Sequence, residues 1–555
     1  MSKKRIDIGD LVLFGTVSLV GFLLFLGAPP LFDWDEINFA ESAREMLVTG
    51  NYFQVQVNYQ PFWEKPPLFF WLQALCMQVF GVGEFAARIP NALIGMATVL
   101  TLYVQGCRLK NPILGRLLAG LYLGTLLPVI YFKSGIIDPT FNYFIFLGLI
   151  TIWQFDQKWI TSPEEAKQDA APWAAGFWIG LATLTKGPVA LLMVLLIYGV
   201  YKLWVDKLRL PWLAAGKFLL AWLILVGSWY GLETLIHGPW FIEQFIEYQL
   251  GLFSQPVASH GQPFYYHFVV FLLGCFPISA FTFRGMFVKL EDTRLQRFMT
   301  VWFWVVMVVF SLATTKIVHY SSLLYFPAVF LSALYVYQLL KDKAGLKWES
   351  YVLYGVGMLL WGLLPSLLNV VVNQLDLLLP YLDGTAREAI KIEVAWTGWE
   401  WIWGAIFLLG MGWNLRQLVQ GKYITFVYLQ LVLCLLFVNG MYKTVVPKVA
   451  VYTQGPPQEF FSQFVGQDVY LFPAGYKSYL PYFYGRIKPH THPEGHSKEW
   501  LANGQIDKAV YAAAPISVTK KSWFKKKYAN LERLYEKGGF VFFQRKLGVR
   551  LRAGE

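Results

Sequence analysis

Charge is scarce in this chain. Only 15% of its 555 residues are Asp, Glu, Lys or Arg, against about 25% in an ordinary soluble domain. A single soluble core stops growing near roughly 250–300 residues. The 56% of apolar residues therefore exceeds what the chain can hide from water by itself, and lipid is the remaining solvent for it. The same composition excludes a disordered chain, a coiled coil and collagen. Cysteine is nearly missing. The four present, Cys76, Cys107, Cys275 and Cys434, lie in or beside apolar runs, which argues against a disulfide framework and a thiolate metal site. The chain also lacks an internal repeat and a Gly-rich nucleotide-binding loop.

What is there fits a membrane. Aromatic residues make up 18% of the chain, with 23 Trp, as expected for rings anchored at lipid interfaces. The net charge of +12 reads as basic loops on the cytoplasmic side rather than as a nucleic-acid surface. Runs of about 20 apolar residues, the length of a spanning helix, recur about thirteen times. The first covers 10–30 and follows Lys3, Lys4 and Arg5. It is too long for a signal peptide and no small-residue cleavage site follows it, so the N-terminus is expected in the cytoplasm. A polar and aromatic outer loop, 31–84, precedes the next span at 85–106. The rest follow at 114–132, 139–155, 172–185, 189–203, 213–235, 265–287, 298–314, 320–340, 351–372, 399–415 and 423–441. With this layout the inner loops carry 21 Lys and Arg and the outer loops before the tail carry 8, the bias the positive-inside rule requires. An odd number of spans places the tail, 442–555, outside the cytoplasm. Strands are expected at 468–473, 509–513 and 540–544, with helix and connection over 522–537. The expected architecture is an α-helical polytopic membrane protein, spanning over 1–441, with a small periplasmic α/β domain.

The unusual polar residues gather on the outer face. Asp33, Asp35 and Glu36 end the first span. From Asp35, Phe39, Ala43, Met46 and Leu47 share one helical face, which predicts an amphipathic helix lying at the interface. Glu64 and Lys65 precede Pro66-Pro67, which fix an extended backbone. Asp138 opens a span, Lys186 separates two apolar segments, and Lys316, His319 and Tyr320 begin another. A charge at membrane depth costs about 2.5–3.5 kcal/mol on insertion scales and mostly faces a cavity. Inner charges form ordinary flanking clusters, so the outer outliers mark a site. His260 shares the outer side with Glu64, and a carboxylate–imidazole pair suits a divalent cation. His490, His492 and His496 match no zinc spacing and read as a solvated loop.

Such a set suits a lipid-linked anion. Lysines hold its phosphate, a metal neutralises the leaving group, and a carboxylate orients or deprotonates an attacking hydroxyl. Glycosyl transfer from a lipid phosphate needs these parts. A lipid-linked sugar transporter is the rival class, but it calls for midplane polar residues and paired halves. A third class is a protein-binding scaffold working through its tail.

DEINFAESAREMLVTGNYF followed by FWEKPPLFFWL resembles the first periplasmic loop of bacterial GT-C glycosyltransferases. LATLTKGPVALLM and TTKIVHYSSLLYFPAV resemble later motifs of the same group. The likeness covers roughly the first 340 residues. It is similar to the lipid A aminoarabinose transferases and the dolichyl-phosphate-mannose protein mannosyltransferases. The resemblance implies a polyprenyl (undecaprenyl) phosphate sugar donor, inversion at the sugar carbon, and a lipid A, other glycan or protein acceptor at the periplasmic face of the inner membrane. It implies that Asp35 activates the acceptor and Asp138 is a second important acid. Lys65 and Lys186 would bind the donor phosphate, with Tyr320 in the cavity. Glu64 and His260 match positions tied to a divalent metal such as Zn, Mg or Mn. One position departs: Asn38 stands where the aminoarabinose transferases carry arginine, which implies different phosphate contacts there.

Overall fold

The computed structural model describes residues 6–206, 209–254, 261–290, 293–374 and 379–547. Helix α1 (Ile8–Leu23) starts where the Asp7 side chain accepts from the Gly9 amide at 2.8 Å, satisfying one of its open N–H groups. Its first turn is pinned by Asp10, which accepts from Tyr103 Oη at 2.8 Å and from Arg116 Nε at 2.7 Å. Three further elements fill the long stretch that follows: α2 (Asp35–Thr49), a hairpin of β1 (Gln56–Val57) and β2 (Gln60–Pro61), and α3 (Leu68–Phe80). Asn58 and Tyr59 turn the hairpin with φ of 57° and 56°, the backbone that matches strand twist in a two-residue loop.

The bundle continues with α4 (Glu84–Leu109), α5 (Pro112–Leu123), α6 (Leu126–Phe132) and α7 (Asp138–Thr161). Helices α4 and α5 approach backbone to backbone. A Cβ on Gly106 would stand 2.5 Å from Gly115 Cα, so small residues set this crossing. Helices Ala171–Lys186, Val189–Asp206 and Trp212–His237 follow. One large apolar core joins α1, α4–α7 and the later helices, among them Arg294–Leu312 and Tyr325–Asp342.

Among the described residues, six helices are long and apolar enough to cross a membrane, or eight if each of two bent pairs counts as one span. The chain is thus a multi-pass membrane protein. The pairs correct two expected spans. Residues 114–132 divide at Gly124-Thr125 into α5 and α6, bent by 72°. Residues 265–287 divide into Tyr266–Gly274 and Ser279–Phe287, bent by 106° around Pro277. A continuous apolar run carries no signal of a bend whose freed backbone groups find partners inside the protein.

Helix α2 also differs from expectation. It begins at Asp35 as read, but its polar face does not lie in the headgroups. Glu36, Asn38, Glu41, Ser42, Arg44 and Glu45 are all buried. The tail covers them. Leu31, Ile37, Ala40 and Ala43 share one apolar cluster with Phe460, Leu471, Phe483 and Phe542 of the tail.

The tail starts with helix Val446–Ser462 and builds a four-stranded sheet in the order β3-β4-β6-β5. Strands β3 (Tyr470–Pro473) and β4 (Val510–Pro515) are parallel, and the other pairs are antiparallel. The three expected strands are β3, β4 and β6 (Phe540–Arg545). The stretch expected as helix and connection divides into helix Ser522–Lys527 and a strand, β5 (Glu532–Lys537). Every residue of β5 is exposed. An edge strand with no buried face shows no alternation to read.

Candidate active site

Most of the residues singled out on the outer face meet at one cavity of about 160 Å³. Asp35 comes from the N-terminus of α2, and Glu64 and Lys65 from the segment before α3. Asp138 comes from the N-terminus of α7, Lys186 from the last residue of its helix, and Tyr320 from a 3-10 turn. Local chemistry explains each placement. Pro66-Pro67 carry the chain into α3. Pro139 occupies the first turn of α7, where its missing N–H costs nothing. Asp138 faces the positive end of that helix, and Lys186 the negative end of its own. Gly187 then ends the Lys186 helix at φ 99°. A Cβ there would meet Phe245 Cζ at 2.3 Å, so only glycine closes this turn.

The Asp35 turn is held from both sides. Trp34, just before it, has φ 84° and ψ −114°, a conformation costly for a bulky residue. Asp33 Oδ1 accepts from the Trp34 amide at 2.9 Å and from the Tyr479 amide at 3.0 Å. Gln454 accepts from the Asp33 amide at 3.0 Å. The Asp33 carboxyl is raised above its usual range by burial, against three lowering hydrogen bonds. Two tail segments thereby brace the residue next to Asp35.

The charges form an ordered set. Asp138 and Lys186 are an ion pair, with 5% and 19% of their side chains exposed. The Lys186 ammonium lies 5.0 Å from the Tyr320 ring centroid, a cation–π contact. Asp35, 43% exposed, is the more open carboxylate. His319 Nε2 stands 3.6 Å from Asp35 Oδ2 and 3.8 Å from Asp138 Oδ2. Burial depresses the Lys65 ammonium and Lys186 adds to the push, while Glu64, Asp35 and Asp138 oppose it. Asn38 lines the cavity with its side-chain oxygen buried and without a protein hydrogen bond.

His319, Lys477 and Tyr479 also line the cavity, without a role assigned from sequence. His319 carried a signal, its place in TKIVHY at a span boundary. Lys477 and Tyr479 carried none, since they reach the site from the tail. His260, the expected imidazole partner of Glu64, lies outside the described residues. Among the described residues, no group of three His, Cys, Asp or Glu is placed to hold a metal ion. The tail histidines are not a solvated loop. His490 shares a hydrogen bond of 2.8 Å with Asn58 of the hairpin, and His492 stacks on Trp500 at 4.3 Å.

The family model for dolichyl-phosphate-mannose-protein mannosyltransferase matches residues 64–229, the stretch that carries Glu64, Lys65, Asp138 and Lys186. The undecaprenyl phosphate-alpha-4-amino-4-deoxy-L-arabinose arabinosyl transferase 2 of Pseudomonas fluorescens is 26% identical over 390 residues, 69% of this chain and 68% of that protein. An enzyme of Proteus mirabilis named for the same transfer is 24% identical over 335 residues, 60% of each chain. The crystal structure of ArnT from Cupriavidus metallidurans bound to undecaprenyl phosphate superposes with a TM-score of 0.76. That match covers 97% of this chain and 98% of that one at 18% identity. The chain has the GT-C glycosyltransferase fold. The cavity is formed by the bundle, the loop between α1 and α4 and the tail together.

Proposed function

We propose that this bacterial inner-membrane protein transfers a sugar from undecaprenyl phosphate to lipid A or another glycan at the periplasmic face. The reaction class rests on the agreement of the family model, the named relatives and the GT-C fold. The observation that carries the site is the convergence of Asp35, Glu64, Lys65, Asp138, Lys186 and Tyr320 on one cavity. They come from segments as far apart as α2 and the 3-10 turn at Tyr320.

The roles follow from position. The acceptor hydroxyl oxygen attacks the anomeric carbon. The bond from that carbon to the phosphate oxygen breaks, and its electron pair leaves with the lipid phosphate. The hydroxyl proton goes to Asp35, the more open acid. Attack from the face opposite the phosphate inverts the sugar carbon. Lys65 and Lys186 stabilise the departing phosphate. An anion arriving beside Lys65 offsets the burial that disfavours its charge. Asp138, paired with Lys186, aims that ammonium instead of acting on the acceptor. Glu64 with His260 would hold a divalent ion, which supplies charge neutralisation at the phosphate. Dialysis against EDTA followed by Zn, Mg or Mn addition tests this, and undiminished turnover in the dialysed enzyme would remove the ion from the scheme. The loop charges support an inner N-terminus and an outer tail, and the apolar runs of the sequence support about thirteen crossings, of which six to eight are helices long and apolar enough among the described residues.

Asp35→Asn tests the reading. The variant should insert and fold like the parent and release no undecaprenyl phosphate from sugar-charged donor in a reconstituted assay. Turnover near that of the parent would remove Asp35 from the role of base.

A further inference from the structure

His319 lines the catalytic cavity with 14% of its side chain exposed. Its place is fixed from behind. The residue precedes the 3-10 turn Tyr320–Leu324, and its carbonyl accepts from the Ser322 amide at 3.1 Å and from the Ser322 hydroxyl. Ser322 is buried. Its Oγ shares a hydrogen bond of 2.5 Å with Tyr131 Oη of α6 and accepts from Asn142 Nδ2 of α7 at 2.8 Å. Asn142 lies one turn beyond Asp138, so the two fall on one face of α7. That single helix face sets both Asp138 and the turn that carries His319. The imidazole meets the Tyr320 ring edge-on, with centroids 5.2 Å apart.

Held there, the ring reaches two acids with one nitrogen. Nε2 stands 3.6 Å from Asp35 Oδ2 and 3.8 Å from Asp138 Oδ2. These are ion-pair distances, longer than a hydrogen bond. The three atoms decide the tautomer between them. A bare nitrogen lone pair facing two carboxylate oxygens is repelled by both, whereas an N–H is attracted by both. Nε2 therefore carries hydrogen, and His319 is a donor and not a base. Asp138 has its other oxygen, Oδ1, on Lys186, so Asp35, His319, Asp138 and Lys186 form a continuous chain of alternating charge. Asp35 is its loose end. Helix α2 begins at Asp35 without a side-chain cap, and 43% of the Asp35 side chain is exposed. We propose that His319 is a positioning residue for Asp35. Its Nε2–H draws Oδ2 of Asp35 toward Asp138 and leaves Oδ1 to take the proton of the acceptor hydroxyl. His319 itself gains and loses no proton in the transfer. It ties the base that activates the acceptor to the Asp138–Lys186 pair that meets the donor phosphate. The inference rests on the transferase reading for its purpose, but not for the protonation of Nε2.

Two measurements on the full chain in lipid nanodiscs test this. Solid-state NMR of protein labelled at the histidine nitrogens reads the tautomer, and the His319 signals are those missing from His319→Gln. Nε2 should be protonated, and a bare Nε2 would overturn the proposal. The second measurement is undecaprenyl phosphate released from sugar-charged donor. His319→Asn keeps an amide one bond too short to replace Nε2. It should lower kcat by about 10²-fold, the scale of loss when a reacting group is misplaced. The donor KM and the calorimetric affinity for undecaprenyl phosphate should stay within about twofold of the parent, which also shows that the variant is folded. His319→Gln sets its amide nitrogen near the place of Nε2 and should recover turnover to within about tenfold of the parent. Equal losses in the Asn and Gln variants would overturn the positioning role, as would parent-like turnover in His319→Asn. Weakened undecaprenyl phosphate binding in His319→Asn would overturn it too, by assigning the imidazole to the donor phosphate. Failure of the transferase reading has a different signature: no release of undecaprenyl phosphate from charged donor by the unmodified protein, whatever the NMR shows.

Discussion

Lys186 has three ammonium donors and spends at least one on Asp138. In the proposed scheme the others face the donor phosphate in the cavity that both residues line. This arrangement makes the effect of Asp138 indirect. Lys186→Met should lower turnover by about 10²–10³-fold, the usual loss when one electrostatic stabiliser of a transition state is removed. Asp138→Asn should lower it less, by roughly 10–10²-fold, because the lysine is loosened and not lost. The decisive variant carries both changes. If Asp138 works through Lys186, the double variant should resemble Lys186→Met alone, since residues acting as a unit do not add. Multiplied losses in steady-state turnover would show instead that Asp138 acts on substrate itself.

Helix α2 joins the membrane bundle to the tail through buried charges. Arg88 of α4 is fully buried. It donates to both Glu36 carboxylate oxygens, at 3.0 and 2.8 Å, and to the carbonyls of Leu26, Pro29 and Pro30. Removing one partner of such a pair leaves an uncompensated charge, at a cost of about 3–5 kcal/mol. Arg88→Leu should therefore fail to reach the membrane in native form, or unfold well below the parent temperature in a detergent melt. Glu45 predicts the opposite sign. Burial and the neighbouring Glu41 raise its carboxyl well above the usual range, against lowering contributions from the Tyr59 amide and Arg44. A folded-state value above the unfolded one contributes stability at low pH and removes it as pH rises. Glu45→Gln keeps an acceptor for the Tyr59 amide, which now bonds Glu45 at 2.8 Å, and drops the charge. It should raise the melting midpoint by roughly 1–3 °C at neutral pH, with the gain shrinking toward pH 4. The start of α2 was legible because acids at a helix N-terminus and an apolar period are local signals. The burial of its charged face was not. Arg44 bonds the Ile487 carbonyl at 3.0 Å across 443 positions, and no window of sequence contains that partner.

The same limit explains which part of the cavity could be read. Asp35, Lys65, Asp138 and Lys186 stood out because charge is rare at the ends of apolar runs, and Tyr320 because it closes TKIVHY at a span boundary. Lys477 and Tyr479 lie in a tail where lysine and tyrosine are common and single out nothing by themselves; only the fold sets them on the cavity wall.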